Sequence, residues 1–133
     1  MLPLGRGETV LVVESELDHL LRNEEMLAAL GYEPVGFKHL ADAIAACCSA
    51  PDRFDIILVS HASQSEGGLD LARALHEIAP RQPLLLATAT AIDGSVEALA
   101  EAGISEVLGR PLASTELAAA LARCLRSSGT LRP

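Results

Sequence analysis

Apolar residues along the chain follow two alternating patterns. Nearly continuous runs at Thr9–Val13, Ile56–Val59, Leu84–Ala87 and Ile104–Leu108 read as buried strands. Glu33–Phe37 is a weaker strand, and Pro34 places it at an edge or delays its start, because proline cannot donate to a central ladder. Between the strands, apolar residues recur at helical spacing. Leu17, Leu20, Leu21, Leu27 and Ala28 form one face of a first helix, and Leu40–Ser49 form a second. Leu71, Ala74, Leu75 and Ile78 mark a third; Val96, Leu99 and Ala100 a fourth; Leu117, Ala120, Leu121, Cys124 and Leu125 a fifth. Ser15 opens a Ser-Glu-Leu-Asp capping box, which predicts it as a helix N-cap worth about 1 kcal/mol. Ser114 or Thr115 caps the last helix, while Gly31, Pro51, Pro80 and Gly103 end the others. Strands alternating with helices of about ten residues indicate βαβ units, hence an α/β, doubly wound parallel five-stranded sheet. The expected organisation is a linker over 1–8, one domain over 9–126 and a flexible tail over 127–133.

Composition narrows the function. The chain has 133 residues, half of them hydrophobic but only 2% aromatic, which suits Ala-rich helices packed on a parallel sheet. Its net charge of −8 argues against a nucleic-acid surface and against anionic membranes. Cys47, Cys48 and Cys124 have neither metal-site nor disulfide spacing and read as inert core thiols. No apolar run is long enough to span a membrane, and the start has no signal-peptide core, so a reducing cytoplasm is expected. The patterns GxxxxGK[ST], GxGxxG and GxSxG are absent.

In an open α/β sheet, chemistry sits just past the carboxyl ends of strands. Ser60 occupies that place, and Glu14-Ser15 and Leu108-Gly109-Arg110-Pro111 should converge on it. Short matches fall in a fixed order: Val-Leu-Val-Val-Glu-Ser-Glu, Ala-Leu-Gly-Tyr-Glu, Phe-Asp-Ile-Ile-Leu-Val-Ser, Gly-Gly-Leu-Asp-Leu-Ala-Arg, Leu-Leu-Leu-Ala-Thr and Gly-Arg-Pro-Leu. Together, over about residues 8 to 126, the chain resembles a response-regulator receiver (CheY-like) domain, which implies a flavodoxin-like (βα)5 fold. The lead-in Leu-Pro-Leu-Gly-Arg-Gly-Glu resembles the join after the ATPase domain of hybrid sensor histidine kinases, and Gly-Tyr-Glu-Pro-Val-Gly-Phe is similar to VirA-like receivers.

The resemblance implies a site that this chain alters. The family's Mg²⁺-holding acidic pair becomes Glu14 and Ser15, and its phosphoacceptor Asp becomes Ser60. The hydroxyl persists as Thr88, the Lys becomes Arg110, and Pro111 stands where the family has a cis peptide bond. The switch aromatic becomes Val107. Neutral hydroxyls ligate Mg²⁺ poorly, so binding is expected to be lost or weak, with Glu14 and Glu16 as weak candidate ligands. Glu14 against Arg110 balances charge without a cation, and a bidentate-capable guanidinium suits a salt bridge that substitutes for the metal. Ser60 lacks activation, and His61, next to it on a strand, would point to the other face. His19, His39 and His76 read as surface residues, and Gly67 and Gly68 as turn residues.

Three functions remain open at this stage. The first is a pseudo-receiver, not an enzyme, within a hybrid histidine kinase. Its partners would be the kinase core or another signalling protein, with homodimerisation through the fourth helix, fifth strand and fifth helix, a face offering Val96, Leu99, Val107 and Leu117–Leu121. The second is an atypical receiver phosphorylated on Ser60 or a nearby group. The third is a small flavodoxin-like cofactor binder, disfavoured because Glu14-Ser15-Glu16-Leu17 is acidic and lacks the Gly a flavin phosphate loop needs.

Overall fold

The computed structural model describes residues 3–50, 52–61, 68–88 and 96–127. Five strands, β1 (Thr9–Val13), β2 (Glu33–Phe37), β3 (Ile56–His61), β4 (Leu84–Thr88) and β5 (Ile104–Gly109), form one sheet in the order β2-β1-β3-β4-β5. All pairs are parallel, with Leu11 opposite both Val35 and Ile57, and Val59 opposite Leu86. The helices are α1 (Leu17–Ala29), α2 (Leu40–Ser49), α3 (Gly68–Ile78), α4 (Val96–Glu101) and α5 (Ser114–Ser127). This is the flavodoxin-like (βα)5 fold.

Helices cover both sheet faces, so the central strands are apolar at nearly every position rather than at alternate ones. Val10, Val12, Ile56, Leu58, Leu85 and Ala87 pack with Leu20 and Leu27 of α1 and Leu117, Leu121 and Leu125 of α5. Leu11, Val13, Ile57, Val59, Leu84 and Leu86 pack instead with Ala43 and Cys47 of α2 and Ala72 and Leu75 of α3. Edge strand β2 holds Pro34, as expected. Gly31 ends α1 at φ +94°, and a Cβ there would lie 2.6 Å from the Gly5 carbonyl oxygen. The lead-in expected as a linker is tied to the domain at that point. The Gly5 and Gly7 amides donate to the carbonyls of Leu30 and Gly31, at 2.7 and 2.8 Å.

Several expectations change. Glu16, not Ser15, is the N-cap of α1, and it makes no side-chain cap bond. The helix starts one residue later than the capping box required, leaving Ser15 exposed. Leu17 and Leu21 are 50% and 48% exposed and Ala28 is exposed; Leu20, Asn23 and Leu27 hold the buried stripe. The apolar spacing was compatible with two stripes, and packing on the sheet selected one. β3 runs two residues further than expected, so Ser60 lies within the ladder opposite Ala87. α5 begins on Ser114 itself rather than after it. Cys48 is exposed, so only Cys47 and Cys124 are core thiols. Pro51, Gly67 and the tail from 128 lie outside the described residues, as do the side chains of His61, Gly68, Val96 and Ser127.

Gly31→Ala should cost at least about 1 kcal/mol, because the left-handed φ and the close Gly5 carbonyl both oppose a Cβ; urea denaturation checks this. Burial, aided by Glu106, pushes the Cys124 thiol up to about 11. Burial, aided by Glu8, pushes the Tyr32 hydroxyl up to about 12. Both groups ionise first in the unfolded chain. Their contribution is complete below the ordinary thiol and phenol ranges and is lost as pH rises through the folded values. Denaturation midpoints should therefore fall progressively between about pH 9 and pH 12, and a flat profile there would refute the assignment.

Candidate functional site

Strand alternation decides which strand ends meet. Val10 and Val12 of β1, Ile56 and Leu58 of β3, and Leu108 of β5 face α1 and α5. Two residues on in each series come Glu14, Ser60 and Arg110, which share that side at the carboxyl edge. Thr88 continues Leu84 and Leu86 and so has the parity of the opposite face.

The Glu14 side chain is fully buried and that of Arg110 is 11% exposed; Arg110 Nη2 lies 3.2 Å from Glu14 Oε1. This is the pair that the charge count called for. It is an ion pair rather than an aligned hydrogen bond, since among the described residues Glu14 Oε1 has no hydrogen-bond partner. The Nη2 group instead meets His19 Nδ1 at 2.5 Å. The other carboxylate oxygen, Oε2, accepts the Glu16 backbone N–H at 3.1 Å. His19 Nδ1 is also 3.2 Å from Glu16 Oε2. One ring nitrogen cannot accept from Arg110 and donate to Glu16 together. The two contacts at Nδ1 are therefore alternatives, not simultaneous hydrogen bonds.

His19, Arg22 and Asn23 of α1 join Ser60, Arg110, Pro111 and Leu112 around a cavity of about 330 Å³. Ser60 is 5% exposed, and its Oγ, like Arg110 Nη1, is buried without a hydrogen-bond partner among the described residues. The Arg110–Pro111 peptide is cis. Of the other expected positions, Ser15 is exposed, Thr88 is buried at the end of β4 one ladder step from Ser60, and Val107 is 40% exposed on β5. His19 was expected on the surface but is central to the site. The signal available for it was polar spacing: residues 19, 22 and 23 share one helix flank. His76 is likewise no plain surface residue, since its Nδ1 is buried and unpartnered beside Gly103.

These residues do not fit Mg²⁺, a hard cation that wants several oxygen ligands with carboxylates among them. Glu14 is already matched by a guanidinium. The Glu16 side chain is 58% exposed and turned to His19. Ser60 offers only a neutral hydroxyl. Among the described residues, no cluster of three or more His, Cys, Asp or Glu side chains could hold a metal ion.

No family model matches the sequence. The fold is shared by a response regulator receiver domain protein from Clostridium thermocellum, with a TM-score of 0.81 and 19% identity over 94% of this chain and 99% of that one. A response regulator receiver protein from Sinorhizobium medicae WSM419 gives 0.72 and 24% identity, covering 92% and 97%. The receiver domain of a sensor histidine kinase from Pseudomonas aeruginosa PAO1, which has a magnesium ion coordinated in its active-site cleft, gives 0.73 and 27% identity, covering 90% and 98%. These three structural neighbours are receiver domains of response regulators and of a sensor histidine kinase.

Arg110→Met should cost about 3–5 kcal/mol, because it leaves the Glu14 carboxylate buried without its counter-charge. Adding Glu14→Gln should recover much of that loss. Urea denaturation of both single variants and the double variant measures the coupling, and strictly additive losses would rule it out.

Proposed function

We propose that this domain is a pseudo-receiver: a regulatory and interaction module of two-component phosphorelay signalling that does not accept phosphate. The Glu14–Arg110 ion pair carries this reading. A receiver's site needs an excess of carboxylate to draw in a cation, and here the buried carboxylate is neutralised by the chain's own guanidinium. The acceptor position supports the same conclusion. A serine nucleophile needs a base within hydrogen-bond reach, and among the described residues Ser60 Oγ has no hydrogen-bond partner.

We assign the domain to a hybrid sensor histidine kinase, on its lead-in sequence and its likeness to the Pseudomonas kinase receiver. Its partner would then be the kinase core or another signalling protein in the cytoplasm. Among the described residues, no helix is long and apolar enough to cross a membrane. With the site silent, output would pass through the surface. The α4-β5-α5 face, where Val107 is exposed and Arg123 clasps Glu106 at 2.7 and 2.9 Å, is the candidate for homodimer contact.

Thermal melting with Mg²⁺, and with Mg²⁺ plus beryllofluoride, tests the reading. The expected result is an unchanged midpoint in both. A clear rise would mean that a metal and a phosphoryl mimic still bind, and the atypical phosphorylatable receiver would replace the pseudo-receiver.

A further inference from the structure

His19 stands where charges from three parts of the chain meet, and its Nδ1 has two competing partners. Arg110 Nη2, just beyond β5, lies 2.5 Å away. Glu16 Oε2, at the start of α1, lies 3.2 Å away. The first contact needs a lone pair on Nδ1, because a guanidinium only donates. The second needs a proton there, because a carboxylate only accepts. A third group depends on the choice. Glu14 Oε1 is buried without a hydrogen-bond partner among the described residues, although Arg110 Nη2 is 3.2 Å from it. While Nη2 bonds to His19, that acceptor goes unmet.

The charges around the ring are Glu14 after β1, Glu16 at the helix start, Arg110 after β5 and Arg22 one turn along α1. They are two of each sign, so the charge of the ring itself decides the arrangement. The His19 side chain is 35% exposed, which lets solvent protons reach it. We propose that His19 is a proton-operated latch between α1 and the end of β5. With Nδ1 unprotonated, the ring accepts from Arg110 and ties the helix to the strand end. When the imidazolium forms, it repels Arg110 and donates from Nδ1 to Glu16, and Nη2 turns to Glu14 Oε1. The acid form thus satisfies the buried acceptor and releases the link across the cavity that His19, Arg110, Pro111 and Leu112 line. A proton taken from solvent would switch a site that is silent toward phosphate. The inference rests on the pseudo-receiver reading, since it requires that Glu14 and Glu16 serve Arg110 and His19 rather than a metal.

NMR of the isotope-labelled 133-residue chain between about pH 8 and pH 5, where imidazoles titrate, tests the latch. Ring nitrogen shifts report the proton on Nδ1, and backbone amide shifts report the neighbours. The neutral ring should carry its proton on Nε2, and the amides of Glu16, Arg110 and Leu112 should shift with the midpoint of the His19 ring. His19→Gln should abolish that shared transition and leave the other histidines titrating. Glu16→Gln should lower the shared midpoint by roughly half a pH unit, because the imidazolium loses an exposed counter-charge. The latch falls if Arg110 and Leu112 do not follow the ring, if the neutral ring is protonated on Nδ1, or if His19→Gln keeps the transition. Any of these with an unchanged Mg²⁺–beryllofluoride melt sinks the latch alone; a raised melt sinks the pseudo-receiver reading and the latch with it.

Discussion

A parallel sheet covered by helices on both faces leaves its strand ends as the natural places for polar chemistry. Here α1 and α5 seal one face and α2 and α3 the other, and the interiors of the central strands β1, β3 and β4 are apolar. A charge on these three strands is therefore confined to their ends, and Glu14 follows the carboxyl end of β1. It must also be neutralised there, because the protein interior solvates it poorly. Glu14 is where that requirement falls.

Its neutralisation has consequences beyond the pair. Arg110 must extend from the end of β5 toward the end of β1, and in doing so it reaches His19 on α1. One guanidinium thus links β1, β5 and α1 across the opening of the site. Both contacts are made by the single nitrogen Nη2. Nη1 is left without a hydrogen-bond partner among the described residues.

The fold is shared with receiver domains, one of which coordinates magnesium in its cleft. In this chain the ends of β1, β3 and β5 carry a carboxylate, a hydroxyl and a guanidinium, of which the carboxylate and the guanidinium pair. Fold and site chemistry are separable here, because the fold is held by the two aliphatic layers and the site residues sit beyond them.

The element order, the parallel sheet, the edge position of β2 and the Glu14–Arg110 pairing were legible in the sequence. These follow from local periodicity, from proline's missing donor and from counting charges at strand ends. Tertiary structure decided the rest. Leu17 and Leu21 fit a helical stripe as well as Leu20 and Leu27 do, and only docking on the sheet showed which stripe is buried. Ser15 satisfied a capping pattern, yet the chain leaving β1 enters the helix one residue later. His19 looked isolated because its partner is 91 positions away. Local pattern fixes what each segment can form; contacts between segments distant in sequence depend on where the sheet brings them, and no periodicity records that.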